Sequence, residues 1–171
     1  MTTPMRLAFT VPGEAAPQGS MKAFTPKGWT RPVLTSDNPR MKPWRAMVAA
    51  AALDAQFTQG TWPCVSTQAI RLDIVCAFVR PASVSVRKRP AHTVKPDASK
   101  LLRAIEDALT TILWRDDAQI VTACISKAYA PATEPAHVEI RIHEILAPDR
   151  VPVPAVQACR LLPLEEEEIR A

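Results

Sequence analysis

A chain of 171 residues, 47% apolar and 22% charged, suits one domain able to bury its own core, and its composition is that of an ordinary soluble globular protein. The net charge of +4 is uneven: residues 1–150 carry 19 Lys/Arg against 13 Asp/Glu, a net +6, whereas residues 151–171 carry two against four, a net −2. Cys64, Cys76, Cys124 and Cys159 lie far apart with no C-x-x-C pair, which argues against a zinc site, and no apolar run reaches membrane-spanning length.

A basic body suits a polyanionic partner, because neutralising phosphates releases counterions. With no basic-then-apolar leader at the N-terminus, a reducing cytoplasm is the expected location. Seventeen prolines predict frequent element ends and long connections.

The alternation Arg6 to Val11 predicts a first strand ended by Pro12-Gly13. Residues 12–42 are punctuated by Pro and Gly and carry Lys22, Lys27, Arg31, Arg40 and Lys42 with Phe24 and Trp29 among them. A hairpin or ordered loop fits this stretch. Cations interleaved with aromatics follow a nucleic-acid backbone and stack on bases, but an aromatic-anchored surface loop has the same composition, and the residues leave the two readings even. Pro43 to Phe57 predicts an alanine-rich helix with Trp44, Val48 (or Met47), Ala51 and Ala55 on its inner stripe and Gly60 as its stop.

Gln68 to Val79 predicts a long strand with Ile70, Leu72, Ile74 and Cys76 on one face, the cysteine as a core thiol. A dense basic run, Arg87-Lys88-Arg89 flanked by Arg80 and Lys95, occupies the next loop; it is either a solvated surface or a phosphate contact. Asp97 to Ile112 has the clearest helical pattern, with Leu101, Ile105, Ala108, Leu109 and Ile112 on one side and Asp97 placed to cap the start. Gln119 to Ala128 and His137 to Ile145 predict two further strands, the last with Val138, Ile140 and Ile142 facing inward. The order β, hairpin or loop, α, β, α, β, β predicts an α+β domain over residues 1–146, with two helices packed on a mixed sheet. The Pro-rich acidic stretch 147–171 is expected to be mobile or to dock on the basic body.

Acids gather in one window: Asp97, Glu106, Asp107, Asp116 and Asp117. Two or three carboxylates suffice for magnesium, which takes oxygen ligands and keeps several waters. Asp97 and Asp117 sit at opposite ends of a helix about 22 Å long. They meet only if the following strand runs back along that helix, or through a two-fold partner. Spacing alone favours the plainer roles, a cap for Asp97 and a turn for Asp116-Asp117.

The segment Lys95-Pro96-Asp97-Ala98-Ser99-Lys100-Leu101-Leu102-Arg103-Ala104-Ile105-Glu106-Asp107-Ala108-Leu109, followed by Trp114-Arg115-Asp116-Asp117-Ala118-Gln119-Ile120, resembles the RusA-like Holliday junction resolvases. That family reads P-D-x-D-N-L-x-K-x-x-x-D-A-L, then W-x-D-D-x-Q-[VI]. Pro17-Gln18-Gly19-Ser20 and Lys42-Pro43-Trp44-Arg45 also look like its phage-type members. The resemblance implies a homodimer that binds four-way DNA junctions and makes paired symmetric nicks with Mg²⁺, or Mn²⁺ in its place. By position it implies catalytic roles for Asp97, Asp117 and Arg103, and metal contacts from Asp97, Asp117, Asp116 and the site of Ser99. Asp107 becomes a helix acid near the site. Lys22, Lys27, Arg87, Lys88, Arg89, Lys95 and Lys100 are the expected DNA contacts.

The pattern is broken at two positions. Ser99 stands where the family has its second aspartate and Lys100 where it has asparagine, while Arg103 replaces a lysine with charge kept. A neutral hydroxyl is a poor magnesium ligand beside a carboxylate. Three explanations compete: a weakened site helped by water or Asp116, a junction-binding homologue without activity, or a deliberately inactivated variant.

Overall fold

The computed structural model of the chain describes residues 5–19, 21–36, 38–62 and 64–145; of Met21, Lys22 and Leu34–Ser36 it describes the backbone only. The acidic stretch 147–171 lies outside the described residues.

Eight principal elements follow in chain order: β1 (Arg6–Pro12), β2 (Met21–Phe24), β3 (Val33–Ser36), α1 (Met41–Gln59), β4 (Ala69–Phe78), α2 (Ala98–Leu109), β5 (Ile120–Tyr129) and β6 (His137–Ile145). They form an α+β fold. The main sheet has the order β1-β6-β4-β5, with β4 and β5 parallel and the other neighbours antiparallel. A parallel neighbour needs a crossover, and α2 supplies it between β4 and β5. Among the described residues β2 and β3 pair only with each other, as the hairpin allowed by the Pro/Gly-rich stretch.

Alternation along the central strands decides which face is covered. Ile70, Leu72, Ile74 and Cys76 of β4 and Val138, Ile140 and Ile142 of β6 are buried, and both helices close over them in one core. Between them, β4 and β6 turn Arg71, Asp73, Glu139, Arg141 and His143 outward, paired as Arg71 Nε–Asp73 Oδ2 at 2.9 Å and Arg141 Nη2–Glu139 Oε2 at 2.8 Å. Cys76 is a core thiol, its pKa pushed up to about 12 by burial.

α1 begins two residues before and ends two residues after the span predicted from Pro43 and Phe57. Proline is accepted in the first turn, where the backbone N–H has no partner to lose. Gly60 closes the helix at φ 63°, its N–H donating to Gln56 O at 3.1 Å. The buried stripe is Met41, Trp44, Val48, Ala52 and Ala55; Met47, offered as an alternative, is 42% exposed, and Ala52 rather than Ala51 completes the row.

α2 buries Leu101, Ala104, Ile105, Ala108 and Leu109. Full burial of each large side chain among them stabilises by about 1.5–3 kcal/mol. The helix stops at Leu109 rather than Ile112: Thr110 leaves the helical region at ψ 136°, and Thr111 follows at φ 70°, a left-handed conformation that β-branched residues rarely adopt. Asp97 is the residue before α2, yet its side chain makes no cap hydrogen bond. Its carbonyl accepts from the Lys100 and Leu101 N–H groups, and its carboxylate lies 3.8 Å from Lys100 Nζ. The carboxylate is thereby left largely in solvent.

Candidate active site

The acidic turn after α2 is built before it is charged. Asp116 accepts from Ala118 N–H at 2.8 Å, and Gln119 Oε1 accepts from the N–H groups of Arg115 (2.8 Å) and Asp116 (2.9 Å). This capping box opens a single helical turn, Asp117–Gln119. Gln119 Nε2 also donates to Ser66 O at 3.1 Å and Gln68 O at 2.8 Å, which ties the turn to the approach of β4. Ser66, 2% exposed, in turn donates to buried Glu144, which accepts from Met5 N–H at 3.2 Å. One oxygen of Asp116 therefore serves the turn, and both Asp116 and Asp117 stay exposed.

One oxygen of Asp117 is spoken for. Oδ1 accepts from the Thr110 hydroxyl and from the indole N–H of buried Trp114 at 3.4 Å, while the same indole lies 3.2 Å from Thr110 Oγ1. Thr110 is the residue that ends α2. A carboxylate aimed this way presents its other oxygen to an incoming group, as partners behind a ligand generally do. Half-buried Glu106, on the preceding turn of α2, has its pKa raised first by burial and then by the Asp117 charge, with Arg103 opposing. The charges of Asp117 and of mid-helix Arg103 thus both act on Glu106.

Asp97 is at the other end. Thr110 holds Asp117 beside the last turn of α2, whereas Asp97 precedes the first, and twelve helical residues span about 18 Å. β5 does run back along the helix: Lys127 near its end donates to Val94 O at 2.6 Å and Pro96 O at 2.8 Å. Asp117 lies before the start of that strand, so the return path carries the chain toward Asp97 and leaves Asp117 behind. Within one chain the two aspartates do not converge. Among the described residues no group of three or more His, Cys, Asp or Glu is placed to hold a metal ion.

The cations divide into groups. Ser99, Lys100 and Arg103 line a cavity of about 490 Å³ together with Gln18 and Gly19. Behind it Arg45 donates to Gln18 Oε1 at 2.7 Å and pairs with Asp107, its own pKa lowered by burial and then by the Arg103 charge. Asp107 is thus occupied by Arg45, and Arg103 remains exposed. Lys95 and Lys100 border a second cavity of about 370 Å³ with Asp97.

Arg87 and Lys88 are exposed in the loop after β4 and Arg89 is half-buried. That loop is pinned by Arg80, which donates to Arg89 O at 2.6 Å and lies 3.8 Å from the centre of the Tyr129 ring. His92 stacks on Phe78 at 4.2 Å within the same anchor, its pKa lowered first by burial and then by Lys127. Lys27 is exposed in the β2–β3 hairpin; Lys22 belongs to β2, and its side chain is outside what is described.

Three residues around Asp117 have no assigned role in the sequence reading: Glu106, Thr110 and Trp114. Glu106 is visible as an acid of the window, and the Asp117 charge acting on its carboxyl is what links it to this end of α2. Thr110 and Trp114 carry no charge pattern; the signal was their spacing of seven and three residues before Asp117 at a helix end. Replacing Thr110→Val keeps the shape and removes the hydroxyl. It is expected to lower divalent-metal affinity about 10- to 100-fold, measured by calorimetric titration, with Thr110→Ser restoring it.

Compared with known proteins, the chain matches the family model described as Endodeoxyribonuclease RusA over residues 12–143. It is similar to the uncharacterized protein YqaN of Bacillus subtilis (strain 168), 29% identical over 150 residues, which cover 82% of this chain and 98% of that protein. Among the described residues no helix is long and apolar enough to cross a membrane.

Proposed function

This chain belongs to the RusA endodeoxyribonuclease family, a family of Holliday junction resolvases, and on that premise we propose that it is a Mg²⁺-dependent enzyme nicking four-way DNA junctions in pairs, as a two-fold dimer. The observation that carries the proposal is the placement of two exposed carboxylates at opposite ends of α2, with Lys100 and Arg103 exposed between them.

A two-fold axis that sets two α2 helices antiparallel, side by side, brings Asp97 of each copy to the Asp117 end of the other. An isologous contact then makes two equivalent sites, which matches a substrate with two equivalent strands. The donor set suits a hard divalent ion: Asp117 offers one free oxygen, and Glu106 and the second copy's Asp97 add more, all oxygens. When bound, the ion supplies activated water and stabilises the leaving 3′ oxygen.

This chain's own residues do the rest. Thr110 and Trp114 hold the Asp117 carboxylate in one orientation. Arg103 faces the scissile phosphate and offsets its charge. Lys95, Lys100, Arg87 and Lys88 bind backbone phosphates, and the Arg80–Tyr129 anchor keeps their loop in place. Such an enzyme acts on DNA in the cytoplasm of a bacterial host.

Ser99 favours a second reading, a junction-binding homologue with little or no cleavage, since the first turn of α2 holds no acid. A labelled four-way junction incubated with Mg²⁺ or Mn²⁺ decides between them. Paired symmetric nicks are expected. Tight binding without nicks in either metal would establish the binder instead.

A further inference from the structure

The hairpin β2–β3 is not used by the site above. Its two strands form a sheet of their own and do not extend the main sheet. Its root is fixed at both ends. Gln18 N–H donates to Lys100 O at 2.9 Å, joining the entry to the first turn of α2, and Asn38 Nδ2 donates to Pro17 O at 2.8 Å, closing the exit. The root therefore rises from the rim of the cavity lined by Ser99, Lys100 and Arg103.

The tip is unusual in chemistry. Trp29 N–H donates to Pro26 O at 3.0 Å, and Gly28 takes φ 89°, the turn in which glycine is needed at the third position. Trp29, directly after that turn, is 63% exposed and Phe24 is 53% exposed. Trp44, Trp62 and Trp114 are all buried, which makes Trp29 the one solvent-facing tryptophan of the four. From residue 17 to 36 the chain carries Lys22, Lys27 and Arg31 and no acid. Two large aromatic faces are thus held in water beside a purely basic segment, on a turn whose shape is set by its own backbone.

Resting on the nuclease reading, we infer that this hairpin is a stacking finger whose Trp29, aided by Phe24, binds unstacked DNA bases at the branch point. Duplex DNA offers no free base face, whereas single strands and strand-exchange points do. The cations of the hairpin match the phosphates that flank such bases. Recognition of branching would then lie partly in the finger, at a place separate from the carboxylates.

Binding is read without metal, so that cleavage does not intervene. The full chain is titrated with a four-way junction, a single strand and a duplex of the same sequence, following tryptophan emission and its quenching by acrylamide. Junction and single strand should quench Trp29 and shield it from acrylamide; duplex should do neither. Trp29→Ala should remove the signal and weaken junction binding on the order of tenfold, with duplex affinity unchanged. Lys27→Ala with Arg31→Ala should weaken all three DNAs alike and flatten the salt dependence.

An emission unchanged at saturating junction, or equal losses on junction and duplex in Trp29→Ala, would overturn the finger. Such a result leaves the nuclease reading intact. A wild-type chain indifferent to all three DNAs would overturn both.

Discussion

Asp97→Asn and Asp117→Asn chains, each inert on a four-way junction, should regain cleavage when unfolded together and refolded as a mixture. In the proposed shared site, a heterodimer of the two would bring the intact Asp117 of one chain to the intact Asp97 of the other, leaving one of its two sites whole. Random pairing makes half of the dimers mixed, and about a quarter of the wild-type number of sites is recovered. Products from those dimers should be single nicks rather than paired ones. Each variant alone should lose cleavage on the order of a thousandfold, the scale for removing one charge-stabilising group from an active site.

The physical basis is the separation along α2. Asp117 is hydrogen-bonded to the residue that ends the helix and Asp97 precedes its first turn. If the functional site lay within one chain, the mixture would be as inert as its parts, because neither chain holds both acids. Gel separation of nicked strands from an end-labelled junction reads the outcome, with sedimentation confirming that dimers formed.

Ser99→Asp is expected to act in the opposite direction. Ser99 is exposed in the first turn of α2, two residues from Asp97 and on the cavity with Lys100 and Arg103. A carboxylate there adds a charged oxygen donor where a neutral hydroxyl now stands, and divalent-metal affinity should rise on the order of tenfold or more, the low end of effects at a metal's surroundings. The cleavage rate at limiting Mg²⁺ should rise in parallel. The same charge meets the positive end of a helix dipole whose first turn carries no acid, so the melting temperature should rise as well, by about 0.3–1 kcal/mol of stability. A higher melting temperature without a gain in metal affinity would remove Ser99 from the site and leave it as a capping position.

Much of the scaffold could be read from periodicity because burial imposes it. β6 spans its predicted residues, and β4 and β5 differ from theirs by a residue at each end; in β6 and most of β4 every second residue enters the core. α2 was legible for the same reason, except at its end, where the helix stops although Ile112 still packs against the core. α1 was less sharply defined: a helix of alanines gives little contrast between Ala51 and Ala52, and only packing picks the stripe.

The acids were legible as a set and not as an arrangement. Asp97 looked like a cap because aspartate before a helix usually is one. Its backbone φ −71° and ψ 136° fit that position, yet its side chain turns to Lys100 instead. The partners of Asp117 depend on where α2 stops, which periodicity placed three residues too late. The order of strands in the sheet had no local signal at all. It follows from long-range pairing, which single-residue patterns do not encode.

That strand order has a consequence for synthesis. Among the described residues β1 pairs with β6, so this early strand waits for one made much later. A ribosome adding about 5–20 residues per second takes on the order of ten seconds to lay down the intervening stretch. Throughout that interval Leu7 and Val11, wholly covered in the finished molecule, belong to a nascent segment with an unfilled edge. Until β6 emerges, that edge is open to pairing with another chain.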